Sequence, residues 1–161
     1  MEEPVHFAPE QDFRAAVALL FRRVEEQLRS LVPSADVQHV GSTAIPGSLT
    51  KGDLDVQVRV AGPEYAAAKD KLSKIYAVNA GGFAAADAIS FENYATRPPL
   101  GVHLTVIGGS ADIQSKFRDL LIASPELRDQ YDQLKRRFEG RSMAKYRDAK
   151  AEFVSRVLQM E

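Results

Sequence analysis

Apolar residues near the start of the chain recur at helical spacing: Phe13, Ala16, Val17, Leu20, Val24, Leu28 and Leu31. The pattern predicts a helix over residues 12–31, with Asp12 able to cap its start and Pro33 stopping it. Residues 37–40 read as a short strand that enters the turn Gly41-Ser42-Thr43-Ala44-Ile45-Pro46-Gly47, whose two glycines and proline fix a tight path. Leu54, Val56, Val58 and Val60 then alternate with polar residues, so residues 53–60 form a strand with one buried face. A helix over residues 63–75 turns Tyr65, Ala68 and Leu72 inward, and two strands follow at 89–95 and 102–107, parted by Pro98-Pro99. The remainder is helical: residues 112–122, then from the cap Ser124 through Tyr131, Leu134 and Phe138, then 142–159 with Tyr146, Phe153 and Val157 inward. This order predicts an α/β (α+β) fold, a small mixed β-sheet packed by helices with a helical C-terminal tail, in one domain spanning 1–161.

Composition narrows the function. The chain has 161 residues, 45% of them hydrophobic, enough for one core. A net charge of -1 argues against the strong attraction to phosphate backbones of basic nucleic-acid-binding domains. The absence of cysteine excludes disulfides, thiol catalysis and zinc-thiolate sites. The acidic N-terminus has no apolar run of a signal peptide, and no segment nears the roughly 20 apolar residues that cross a bilayer. The expectation is a soluble cytoplasmic protein. Charge is uneven, though: residues 1–115 hold ten Lys/Arg and fourteen Asp/Glu, residues 116–161 eleven and eight. The basic tail is either a solvated helical face or a wall facing an anionic substrate.

The informative chemistry is Gly41-Ser42, ten residues, then Asp53-Leu54-Asp55. Strand residues two apart share a face, so Asp53 and Asp55 project together. Side by side they repel unless a cation lies between them, and Mg²⁺ takes one or two carboxylates plus substrate phosphates. Gly41 lets a phosphate approach the backbone, Ser42 adds a hydroxyl and an N–H, and Lys51 adds positive charge. One loop can thus hold a nucleoside triphosphate while the next strand holds its metal. Each half alone reads equally as a solvent-exposed strand face or an ordinary turn.

Residues 41–60, GSTAIPGSLTKGDLDVQVRV, resemble the GrpB family's form of the nucleotidyltransferase signature. VHLTV at 102–106, FRDLLIASPE at 117–126, and the pairs Tyr131/Lys135 and Tyr146/Lys150 match further family blocks in order. The resemblance covers about residues 5–160 and implies the nucleotidyltransferase fold, with phosphate at Gly41 and Ser42 and metal at Asp53 and Asp55. It also implies a possible protein partner, because some relatives are fused to a coenzyme A pathway kinase.

The match is incomplete at one point. Active nucleotidyltransferases usually present a third carboxylate from a neighbouring strand, often as general base. The strand near 101–107 has none; His103 and Thr105 stand in its place, and Glu92 lies on the segment before. His103 reads as a metal ligand or base, or as a half-buried strand residue. His39 reads as structural and His6 as surface. In the tail, Arg118 and Lys150 are candidates to reach phosphate, with Lys135, Lys145 and Arg147 weaker ones, against the alternative of surface pairing. Two functions follow: a Mg-dependent transferase from a nucleoside triphosphate to a small-molecule acceptor, or a non-catalytic binding or accessory module with a degenerate site. The glycine-rich segment 80–86 reads as a mobile loop near the site.

Overall fold

The computed structural model of the protein describes residues 2–82 and 84–160. Its helices are α1 (Arg14–Leu31), α2 (Tyr65–Ser73), α3 (Gln114–Ala123), α4 (Pro125–Phe138) and α5 (Met143–Gln159). Its strands are β1 (Ala8–Pro9), β2 (Asp36–Val40), β3 (Leu49–Thr50), β4 (Leu54–Val60), β5 (Ala77–Val78), β6 (Ala84–Ala85), β7 (Ala88–Asn93) and β8 (Leu100–Val106). The main sheet runs β2-β4-β8-β7-β5, with β6 also on β7. Only β4 and β8 pair in parallel among the described strands; their connection carries α2 and the β5–β7 strands. The mixed sheet and helical tail are the architecture the periodicity predicts.

One helix start differs for a local reason. Asp12 does not cap α1: it ends a 3-10 turn, and Phe13 occupies the cap position without a side-chain cap bond. Arg14 instead pairs back to buried Glu10, which also accepts from the Gly47 amide at 3.2 Å. Ser124 does cap α4, accepting from the Leu127 amide at 3.2 Å. In segment 80–86, Ala84–Ala85 pair with β7, and Phe83 lies outside the described residues.

The sheet separates two environments. Leu54, Val56, Val58 and Val60 pack with Val102, Leu104 and Phe91 beneath α1 and α2, most of them fully buried. Each such side chain contributes roughly 1.5–3 kcal/mol of burial. The other face is covered too, which alternation alone does not reveal, and its contacts are polar. Gln57 on β4 donates to Thr105 and Asp112, and Arg59 grips Asp112 at 2.7 and 2.8 Å and Asp36 at 2.7 Å. A second core lies among α3, α4 and α5, centred on Phe117, Tyr131 and Phe153. Ile45, fully buried, plugs the 41–47 turn into it. The turn is therefore pinned between sheet and helical tail. Among the described residues no helix is long and apolar enough to cross a membrane.

Candidate active site

Asp55 lies in a slot between two glycines. Gly41 takes φ 78° and ψ -177°, backbone space that side chains disfavour. A Cβ on Gly41 would stand 2.6 Å from Asp55 Oδ2, and one on Gly101 would stand 2.8 Å from Oδ1. Asp55 Oδ1 meets His103 Nε2 at 3.0 Å, and His103 Nδ1 meets Ser90 Oγ at 2.8 Å. Burial pushes the Asp55 carboxyl up, but the His103 hydrogen bond and charge, with Lys150 and Lys51, hold it below its usual range. An ionised Asp55 only accepts, so Nε2 carries the proton it donates.

Asp53 immediately precedes β4, and its carbonyl accepts from Thr43 Oγ1 at 2.9 Å. His39 Nε2 meets the same hydroxyl at 2.9 Å while its ring stacks on Phe21. This chain of contacts fixes where the strand begins. Burial raises the Asp53 carboxyl above its ordinary range, opposed by Lys51 and reinforced by Asp55. Lys51 Nζ is 3.8 Å from Asp53 Oδ2. The Ser42 hydroxyl donates to Thr50 Oγ1 at 2.7 Å, and the Gly52 amide donates to the same atom at 3.0 Å.

Two compartments meet at this centre, one of about 750 Å³ and one of about 230 Å³. Ser42, Asp55, His103, Arg147 and Lys150 border both. Lys51, Asp53 and Tyr94 border only the smaller. A turn, two carboxylates and three cations thus ring one opening.

The family description "GrpB protein" matches residues 11–160. The chain belongs to the GrpB family. It is 30% identical to a UPF0157 protein of Vibrio cholerae serotype O1 over 155 residues, covering 96% of this chain and 82% of that one. The crystal structure of the conserved protein GrpB from Enterococcus faecalis superposes with a TM-score of 0.71 at 19% identity, covering 96% of this chain and 98% of that one. The Cid1 poly(U) polymerase, solved with magnesium and 3'-dATP, superposes with a TM-score of 0.50 at 13% identity. That likeness covers 77% of this chain and 39% of the polymerase, and it is one of fold.

In this GrpB chain the residues singled out by sequence part into two groups. Gly41, Ser42, Asp53, Asp55, Lys51, His103 and Lys150 come together around the opening. Arg118 does not. Its guanidinium donates to the His39 carbonyl and Gln38 Oε1, both at 2.8 Å, tying α3 to β2, and it borders neither compartment. Lys135 is buried, donating to Ser48 Oγ and the Leu49 carbonyl and lying 3.6 Å over the Tyr131 ring. Thr105 is buried and accepts from Gln57. Glu92 pairs with Gly101, which pairs with Asp55, so Glu92 shares the Asp55 face one strand farther out. His103 has both ring nitrogens engaged, on Asp55 and Ser90, and so holds Asp55 in place.

One residue at the opening, Ser90, escapes a motif reading, and Arg147, a weaker candidate of the basic tail, reaches the opening too. Arg147 precedes Lys150 by three positions, and that spacing on a helix was a signal that both share a face. Ser90 carries no sequence signal; strand register alone sets it against His103. The Mg²⁺ expectation meets a partial ligand set. Asp53 and Asp55 open on the same compartment, and Asp55 Oδ2 is the oxygen that His103 leaves. Two carboxylates plus phosphates suit one such ion. Among the described residues no group of three or more His, Asp or Glu is placed to hold a metal, so a second ion has no carboxylate of its own.

Proposed function

We propose that this chain transfers a nucleotidyl group from a nucleoside triphosphate to a small-molecule acceptor. One observation carries the reading: the Gly41-Ser42 turn and the Asp53/Asp55 pair converge on one opening that Lys51, Arg147 and Lys150 surround. Gly41 leaves room for a phosphate to approach the backbone, and the three cations offset its charge. Magnesium on Asp53 and Asp55 would supply further charge neutralisation to the phosphates. His103 holds Asp55 in its slot, so the carboxylate is preorganised. The acceptor oxygen bonds the α-phosphorus as the bridge to the β-phosphate breaks. Pyrophosphate leaves with the bonding electrons, and the acceptor proton passes to solvent. The protein supplies position and charge rather than a covalent intermediate. The fold shared with the Cid1 polymerase supports this reading.

A second reading has its own observation. His103 stands where a third carboxylate is expected and is committed to Asp55 and Ser90. A non-catalytic nucleotide- or coenzyme-binding module, acting beside a partner such as a coenzyme A pathway kinase, fits that deficit. Pyrophosphate release from the four ribonucleoside triphosphates with Mg²⁺, across a panel of alcohols and phosphates, separates the two. Transfer predicts release that falls by about 100-fold or more in Asp53→Asn/Asp55→Asn. Binding without release across the panel favours the module.

A further inference from the structure

A transfer between two small molecules needs two approaches to the reacting centre, and the two compartments differ in their walls. Lys51 and Asp53 face only the smaller one. The larger is lined on its apolar side by Ile113, Phe117, Val154 and Leu158, from the start of α3 and from α3 and α5. It therefore has a charged end, where Asp55 and Lys150 stand, and an apolar end. Its volume of about 750 Å³ lies within the range of pockets that enclose a small organic molecule.

We infer that the larger compartment is the acceptor site and that it takes an amphiphilic alcohol. The apolar or aromatic body lies against Phe117, Val154 and Leu158, and the hydroxyl reaches the Asp55 end. The inference rests on the nucleotidyl-transfer reading, which leaves the smaller compartment, where Lys51 joins Arg147 and Lys150, to the phosphate chain of the nucleotide. A nucleobase is the competing occupant of the larger one.

The test uses saturation-transfer NMR with 4-phenylbutan-1-ol, against butane-1,4-diol as a probe without an apolar body. Ala151 and Ser155 stand exposed at the rim of the larger compartment. Ala151→Trp therefore plugs it without touching either core, and Ser155→Phe is a second plug should the first misfold. Affinity for each α,β-methylene ribonucleoside triphosphate with Mg²⁺ is measured on the same proteins. The expected result is saturation of the phenyl alcohol but not the diol, reduced roughly tenfold by either plug, with nucleotide affinity unchanged within about twofold. No saturation of the phenyl alcohol, or saturation indifferent to both plugs, overturns the inference. So does a roughly tenfold loss of nucleotide affinity in the plugged proteins, which assigns the compartment to the nucleobase. If no triphosphate binds wild type, the transfer reading falls by itself, and with it the acceptor role; the alcohol measurement still decides which chemistry the compartment takes.

Discussion

Replacing Gly41 by alanine measures how firmly Asp55 is held. Gly41 has φ 78° and ψ -177°, where a side chain costs on the order of 1–3 kcal/mol. The added methyl would also stand 2.6 Å from Asp55 Oδ2, well inside the roughly 3.5 Å of ordinary contact. The carboxylate would have to swing aside and lose His103, and a hydrogen bond to a charged group contributes about 1.5–3 kcal/mol. The two effects together give about 2.5–6 kcal/mol. Two other glycines separate them. Gly47 has φ 80° but nothing within 4 Å of an added Cβ, so Gly47→Ala reports backbone strain alone, about 1–2 kcal/mol. Gly101 is not among the glycines with positive φ, and its Cβ would stand 2.8 Å from Asp55 Oδ1. Gly101→Ala therefore reports crowding alone, about 2 kcal/mol. Urea unfolding of the four proteins should rank wild type, Gly47→Ala, Gly101→Ala and Gly41→Ala from most to least stable. At this chain length each kcal/mol is about 2–4 °C, so Gly41→Ala should lower Tm by roughly 10 °C. Equal losses in Gly41→Ala and Gly47→Ala would refute the slot, since Asp55 would then move aside freely.

Arg118→Ala should cost about 1–3 kcal/mol by freeing β2 from α3, with nucleotide affinity unchanged within about twofold. A tenfold weaker affinity, read by calorimetry, would return Arg118 to the site. Burial lowers the Lys135 ammonium to about 7, with Asp132 opposing. An unfolded lysine keeps its proton to about pH 10.4, so between pH 7 and 10 the unfolded state binds more protons. Stability should then rise with pH, by at most about 1.4 kcal/mol per unit from this group. Above about pH 10 the trend reverses, because burial keeps Tyr131 and Tyr146 neutral when folded. Lys135→Met should flatten the rise between pH 7 and 9.5 in urea titrations, and an unchanged slope would show that Lys135 does not titrate as its burial requires.

Most elements were legible because their signals are local. The 3.6-residue period from Phe13 to Leu31 and the alternation from Leu54 to Val60 follow from which side chains must leave water, whatever they later touch. The short strands β1, β3, β5 and β6 carried no such signal. Two residues are too few to show a period, and pairing partners alone make them strands. The candidate site was legible in part for the same reason. Gly41, Ser42, Asp53 and Asp55 sit in one continuous stretch, so a motif reading found them together. Arg118 and Lys135 were drawn in by charge and spacing, which reveal a cation but not its partner. Their hydrogen bonds reach residues about 80 or more positions away in the chain.

The sequence by itself thus determined the class of fold, the family and the pairing of a glycine turn with two strand carboxylates. These depend on residue order and period, which folding cannot change. Only the tertiary structure decided that His103 is held between Asp55 and Ser90, that Arg147 and Lys150 reach the opening while Arg118 and Lys135 do not, and that two compartments meet there. Each of those follows from strand register and helix docking, which bring distant residues within 3 Å of one another, and no local pattern encodes such a distance.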